Sequence, residues 1–234
     1  MSPLVPRPAR GRVFEAARRV RLSDVDRDGR LRLDAVARYL QDVASDDVVD
    51  AGWVSDDHVW VVRRTLVDVV EPFVGDGVVE LATWCSGIAS AAAGRRTTLL
   101  GDHGGRIETE TVWIHLDRDL RPARFDQRFV DLYAAAASGR RVSTRLELPP
   151  PPQAAARSPW PLRATDVDLL GHVNNAAYWH AVEEALLPRG RLRAVLEYRA
   201  PVDLGDEVEL TRADGSIWLV VRGAVRAAAA VRAQ

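Results

Sequence analysis

"SDVDRDGRL" at residues 23–31 returns as "TDVDLLGHV" at residues 165–173. Both copies carry Asp-Val-Asp-x-x-Gly between a strand-like run and an amphipathic run. Asp favours turns and helix starts, and Gly supplies the positive φ that a tight turn needs. The agreement extends outward. The helical run after the first copy continues as "YLQDVA" (39–44) and after the second as "AVEEAL" (181–186). One strand later, a Gly-Asp pair opens the next strand in each half, in "VGDGVVEL" (74–81) and "LGDEVEL" (204–210). One strand–helix–multistrand unit therefore occurs twice in the same order, as a tandem duplication.

The elements of each unit follow from periodicity. Residues 13–22 read as a strand. Leu33, Val36, Ala37, Leu40, Val43, Ala44 and Val48 recur at helical spacing and predict a helix ending at Gly52. Strands are expected at 59–70, 77–85, 95–102 and 106–117, with a hairpin turn at "GDHGG" and a short helix over 126–137. After the proline-rich "LPPPPQAAARSP" (148–159), a strand is expected at 160–165 and a helix to about Leu187. Four strands follow, near 191–200, 206–213, 216–222 and 224–232. A central helix with an antiparallel meander buries one sheet face, and two such units can pair their edges into one continuous sheet. The expected fold class is α+β, a tandem (double) hotdog. The expected divisions are a flexible tail at 1–12, an N-terminal hotdog at 13–138, a linker and first strand region at 139–159, and a C-terminal hotdog at 160–234.

Composition excludes several functions. The net charge of −1 lacks the basic surplus that nucleic-acid binding uses. No apolar run approaches the roughly 20 residues that span a bilayer. The first residues lack the apolar core of a secretory signal, so cytoplasmic residence is expected. Cys85 lies in strand-like "ELATWCSGI" and reads as a buried structural thiol. There is no Cys/His cluster with zinc spacing, no G-x-S-x-G and no D-x-x-P-x-H, which disfavours a zinc site, a nucleophile-elbow hydrolase and a hotdog dehydratase.

Candidate chemistry concentrates in "TDVDLLGHVNNAAYW" (165–179). The first copy has Arg30 where the second has His172, and Arg32 and Leu33 where it has Asn174 and Asn175. Asp24, Asp26 and Gly29 match Asp166, Asp168 and Gly171. The aspartates and glycine thus read as turn chemistry common to both copies, and His172, Asn174 and Asn175 as what the second adds. Asp168 is a candidate general base or nucleophile. His172 is a candidate for orienting it, or for protonating a leaving group. Glu183 and Glu184 read as solvated or pairing residues, His180 as a helix-surface residue, and His58, His103 and His115 as structural. Tyr178 and Trp179 suit either a substrate tunnel or the core.

These segments also carry a resemblance. With "LQDVASDDVVDAG", "WVVRRTLVDV" and "GDGVVELATWCSG" in the first half and "DVDLLGHVNNAAYW" and "LEYRAPVDLGD" in the second, the chain resembles the acyl-acyl-carrier-protein thioesterases of plants and bacteria, from about residue 13 onward. The resemblance implies hydrolysis of acyl-carrier-protein thioesters to free fatty acids in fatty acid biosynthesis, without a cofactor or metal. It implies catalysis in the C-terminal hotdog and an acyl chain housed by the N-terminal one. Carried over by position, the catalytic residues are Asp168 and His172, and Asn174, Asn175 and Tyr178 also match. From their own chemistry, Asn174 and Asn175 can donate to the substrate or fix the loop, and Gly171 lets backbone approach a substrate closely. An asparagine of the plant pattern falls on Leu170, and a Glu-Cys pair falls on Pro201 and Val202. The implied partner is acyl carrier protein or acyl-CoA, with no nucleic acid or membrane, for a monomer or homodimer. The alternatives are an acyl-CoA thioesterase and a non-catalytic acyl-binding or regulatory protein.

Overall fold

Ten strands form one antiparallel sheet in the computed structural model, which describes residues 4–53 and 58–234. The first unit comprises β1 (Val13–Arg19), α1 (Leu33–Asp50), β2 (His58–Glu71), β3 (Val78–Ile88), β4 (Ala92–Gly101), β5 (Arg106–Asp117) and α2 (Gln127–Ala137). The second comprises β6 (Ala156–Trp160), α3 (Tyr178–Leu186), β7 (Leu192–Tyr198), β8 (Val208–Ala213), β9 (Ser216–Val221) and β10 (Ala224–Ala233). Across the sheet the order is β1-β3-β4-β5-β2-β7-β10-β9-β8-β6. Each half is a helix on a meander, so the fold is a double hotdog.

The halves join where β2 meets β7, in register from Arg64 opposite Glu197 to Val69 opposite Leu192. An edge strand exposes unpaired N–H and C=O groups, and this ladder removes one such edge from each unit. Asp68 and Arg193 face each other across it and form an ion pair. On one side of the sheet, α1 crosses α3. Leu33, Val36, Leu40 and Val43 of α1 and Trp179, Ala181 and Val182 of α3 are buried in a single core that runs through both units.

Three sequence expectations change. The strand expected at 160–165 lies earlier, at 156–160, inside the proline-rich stretch. It is the outermost strand and pairs only with β8, and an edge accommodates Pro159, which has no N–H to donate. Residues 4–12, expected as a flexible tail, are tied to the first unit. Arg12 bonds Asp47 and Asp50, Val5 accepts from Arg96, and Gly11 lies so close to α2 that a Cβ there would fall 2.3 Å from the Ala136 nitrogen. The segment at 141–150 is likewise held. The buried carboxylate of Glu197 accepts the N–H groups of Glu147 and Leu148, while Arg63, Arg64 and Arg199 donate to the carbonyls of Thr144, Arg145 and Leu148. No helix among the described residues is long and apolar enough to cross a membrane.

Asp34, fully buried in the first turn of α1, ties the helix crossing together. It accepts from Arg32 at 2.9 Å and Arg38 at 2.5 Å and lies 3.5 Å from His180 of α3. Burial alone would raise its pKa, but the bonds from His180, Arg32 and Arg38 outweigh burial and hold the carboxyl well below the usual carboxylate range. A depressed pKa contributes stability that is present above the ordinary value of 3.8 and is lost as pH falls from there. Asp34→Asn should therefore cost about 3 kcal/mol at neutral pH. In urea unfolding across a pH series, that deficit should shrink below pH 3.8.

Candidate functional site

The two quoted turns are built on the same set of backbone hydrogen bonds. In the first, Asp24 accepts Arg21 N–H, Asp26 N–H donates to the Arg30 carbonyl, and Gly29 N–H to the Asp26 carbonyl. In the second, Asp166 accepts Arg163 N–H, Asp168 N–H donates to the His172 carbonyl, and Gly171 N–H to the Asp168 carbonyl. Gly29 at φ +78° and Gly171 at φ +79° both occupy the left-handed region that glycine reaches without strain. Even the side-chain bond is repeated, since Asp26 accepts Asp28 N–H and Asp168 accepts Leu170 N–H. The turn is a folding unit used twice.

What each copy does with its second aspartate differs. Asp26 is committed to Arg30, which bonds it at 3.1 Å and through its own N–H at 3.0 Å. Burial would raise the Asp26 pKa, but the N–H groups of Arg30 and Asp28 and the Arg30 charge outweigh it and lower it. Asp168 has no arginine within ion-pairing distance among the described residues. Its Oδ2 accepts from the Asn174 side chain, at 3.3 Å. Asn174 in turn accepts Ala176 N–H at 2.9 Å, which fixes the amide so that its NH₂ faces the carboxylate.

Asp168 opens onto a cavity of about 470 Å³. The first unit supplies most of its wall: Gln41, Ala44 and Val48 from α1, Trp60 and Trp113 from the sheet, and Phe129 and Tyr133 from α2. The second unit supplies Asp168, Leu170 and Asn175. Aromatic rings pack the far wall, with Phe125 stacked on Phe129 at 4.0 Å and Trp60 on Phe125 at 5.6 Å. The α2 helix that brings Phe129 and Tyr133 has no counterpart among the described residues of the second unit. Arg95 also lines the cavity, but its charge is matched by buried Asp47 at 2.8 Å, which also accepts from the Tyr133 hydroxyl. The wall is thus effectively neutral and suited to an apolar chain.

His172 does not join Asp168. Its Nδ1 lies 2.6 Å from Asp203 Oδ1, on the surface, where both side chains are about half exposed. Asp203 is the functional candidate that sequence reading missed. It stands one residue beyond Val202, where the family's polar pair ends, and its backbone bridges His172 as that of Val74 bridges Arg30 in the first unit. Nothing local in "PVDLGD" marks it, because its partner is 31 residues away.

The remaining candidates sort by position. Asn175 lines the cavity; Gly171 is exposed in its turn. Tyr178 packs in the core, edge-on to Tyr198 at 5.3 Å, and does not line the cavity. Burial drives its hydroxyl pKa up, past what the bond to Val202's backbone returns. Leu170 sits at the cavity mouth where the plant pattern has asparagine, Pro201 is exposed, and Val202 is core. Glu183 pairs, with Arg30, and Glu184 is exposed. His103 is exposed in its turn, His115 is buried against the aromatic wall, and His180 lies between Asp34 and Asp166 at 3.5 and 3.7 Å. His58 opens β2, and its side chain lies outside the described residues.

Models of known families match both halves. The N-terminal domain of acyl-ACP thioesterases matches residues 11–133, and the C-terminal domain matches residues 151–224. The chain belongs to the acyl-ACP thioesterase family. It is 36% identical over 238 residues to an uncharacterized protein of Mycobacterium tuberculosis H37Rv, covering 98% of this chain and 95% of the relative. Solved structures share the fold. The 12:0-ACP thioesterase from Umbellularia californica aligns with TM-score 0.77 and 18% identity over 95% of this chain and 98% of its own. An acyl-ACP thioesterase from Bacteroides thetaiotaomicron aligns with TM-score 0.78 and 17% identity over 93% and 96%. Family and fold together support thioesterase activity.

Cys85 also touches the cavity wall, as a buried thiol. Burial pushes its thiol up to about 11, past the opposing charge of Arg95. Thiol reagents should label the native protein slowly and at a rate that climbs with unfolding, followed by absorbance with a disulfide reporter; rapid native labelling would contradict the burial.

Proposed function

We propose that the protein hydrolyses acyl-acyl-carrier-protein thioesters and releases the free fatty acid, with Asp168 as general base. One observation carries this reading: the carboxylate that the second unit leaves free of any arginine opens onto an apolar cavity built almost wholly by the first unit. The degenerate unit then houses the acyl chain and the other performs the chemistry.

Asp168 takes a proton from water as the water oxygen bonds to the carbonyl carbon. Asn174 holds the carboxylate in place. Collapse of the tetrahedral intermediate breaks the C–S bond, and the thiolate leaves toward the half-exposed surface. There His172, oriented by Asp203, gives it a proton; Asp168 then releases its proton to solvent and His172 takes one up from it. Water and thioester become carboxylic acid and thiol, with Asp168 and His172 restored. The polar positions of the plant pattern at 170, 201 and 202 are not needed in this scheme, since Asn174 and Asp203 supply the contacts. An acyl-carrier-protein arm or the matching arm of CoA would enter from the same surface.

Matched panels of acyl-acyl-carrier-protein and acyl-CoA substrates test the substrate class. Strong preference for the carrier protein is expected, and strong preference for CoA would overturn that part. Asp168→Asn and His172→Ala should each lower kcat by more than about tenfold, the minimum for an acid–base group. If neither does, a non-catalytic acyl-binding role takes over. Ala44→Trp, which fills the cavity from α1, should shift preference to shorter acyl chains while leaving kcat on the shortest within about threefold.

A further inference from the structure

The helix crossing at the centre of the molecule contains the same exchange twice, once filled and once open. In the first unit, α1 begins at Leu33, and its N–H is taken by the second unit. Glu183 Oε1 accepts it at 2.6 Å, while Oε2 accepts from Arg30 at 2.5 Å. Leu33 aligns with Asn175, and Arg30 with His172. Glu183, third in "AVEEAL", aligns with Gln41, third in "YLQDVA". By this alignment Gln41 and Asn175 correspond to Glu183 and Leu33, the pair that bonds in the first copy. Gln41, Asn175 and Asp168 line the one cavity. Among the described residues, the Gln41 amide and the Asn175 N–H have no hydrogen-bond partner.

We infer that Gln41, from the first unit, and the Asn175 N–H together form the oxyanion site for the substrate's thioester carbonyl. This rests on the hydrolase reading above. When water's oxygen bonds to the carbonyl carbon, the C=O π pair moves onto the carbonyl oxygen, which accepts from Asn175 N–H and Gln41 Nε2–H. When the pair returns, the C–S bond breaks and the thiolate is protonated as described. The filled copy shows what such a place holds: an oxygen carrying negative charge, on the same backbone N–H. It also explains the side-chain difference. A carboxylate suits the first copy because Arg30 neutralises it, and there it plugs the helix start. At position 41 a carboxylate would face a developing negative charge while the cavity's Arg95 is already matched by Asp47, whereas a neutral amide donates. Gln41 is thus a catalytic residue contributed by the unit without the Asp–His pair, and the active site is complete only when both units are present.

Steady-state kinetics on wild type, Gln41→Ala and Gln41→Glu over a pH range test this, with thermal melting as the fold control. Gln41→Ala should lose kcat on the order of 10²-fold, as for removal of one oxyanion donor, with KM within about threefold. Gln41→Glu should fall below Gln41→Ala at mildly alkaline pH, and the ratio of Glu to Ala variant should rise as acid neutralises the new carboxylate. A core-packing role would give neither the kcat-only loss nor the pH-dependent ratio. Wild-type kcat in Gln41→Ala, a loss confined to KM, or a pH-independent ratio would overturn the assignment. A wild-type protein that turns over no thioester would remove the hydrolase reading and this inference with it, whereas an active wild type beside an equally active Gln41→Ala removes Gln41 alone.

Discussion

Everything in this molecule hangs on the ladder between β2 and β7. A single hotdog sheet ends in a strand with unpaired backbone groups and an apolar helix face that one meander only partly covers. Pairing β2 with β7 closes both sheets into one, and it brings α1 across α3 so that Leu33, Val36, Trp179 and Val182 share a core. The polar groups at this crossing are buried, so they need partners from the opposite unit. Asp34 reaches His180, and Glu183 reaches Arg30 and the start of α1. Without that crossing, Asp168 would face solvent instead of a cavity walled by the other half.

Duplication lets the two halves share a scaffold and divide the work. The Asp-Val-Asp-x-x-Gly turn is kept in both because its hydrogen bonds build the strand-to-helix corner, whatever else it does. Divergence then needs few changes. Arg30 locks Asp26 in the first unit; His172 turns away to Asp203 in the second and leaves Asp168 free. The first unit gains α2, whose Phe129 and Tyr133 turn a sheet face into an enclosed wall. In the proposed scheme one half thereby becomes the container and the other the reactive mouth, and neither arrangement disturbs the shared turn.

Local patterns read well from the chain. The turn residues, the helical spacing of α1 and the alternation of most strands are short-range properties, and they lie where the spacing put them. β6 was masked because prolines and alanines conceal an edge strand whose only claim to order is its pairing with β8. The N-terminal segment gave no hint of its docking, since that depends on a glycine meeting α2 and on Arg12 meeting Asp47. Ala44 and Val48 share the apolar spacing of the α1 core residues but wall the cavity instead, together with Gln41 and with Phe129 and Tyr133 of α2.

Sequence by itself determined that the fold is a duplication, which turn is repeated, and that His172, Asn174 and Asn175 distinguish the second copy, because each of these is a matter of residue type at a fixed short spacing. Tertiary structure alone decided which groups meet. It turned His172 to Asp203 rather than Asp168, sent Tyr178 to the core, plugged the first helix start with Glu183 and placed Gln41 and Asn175 on the wall of one cavity. Such meetings depend on how two units cross, and the geometry of that crossing is a property of packed surfaces that no run of neighbouring residues contains.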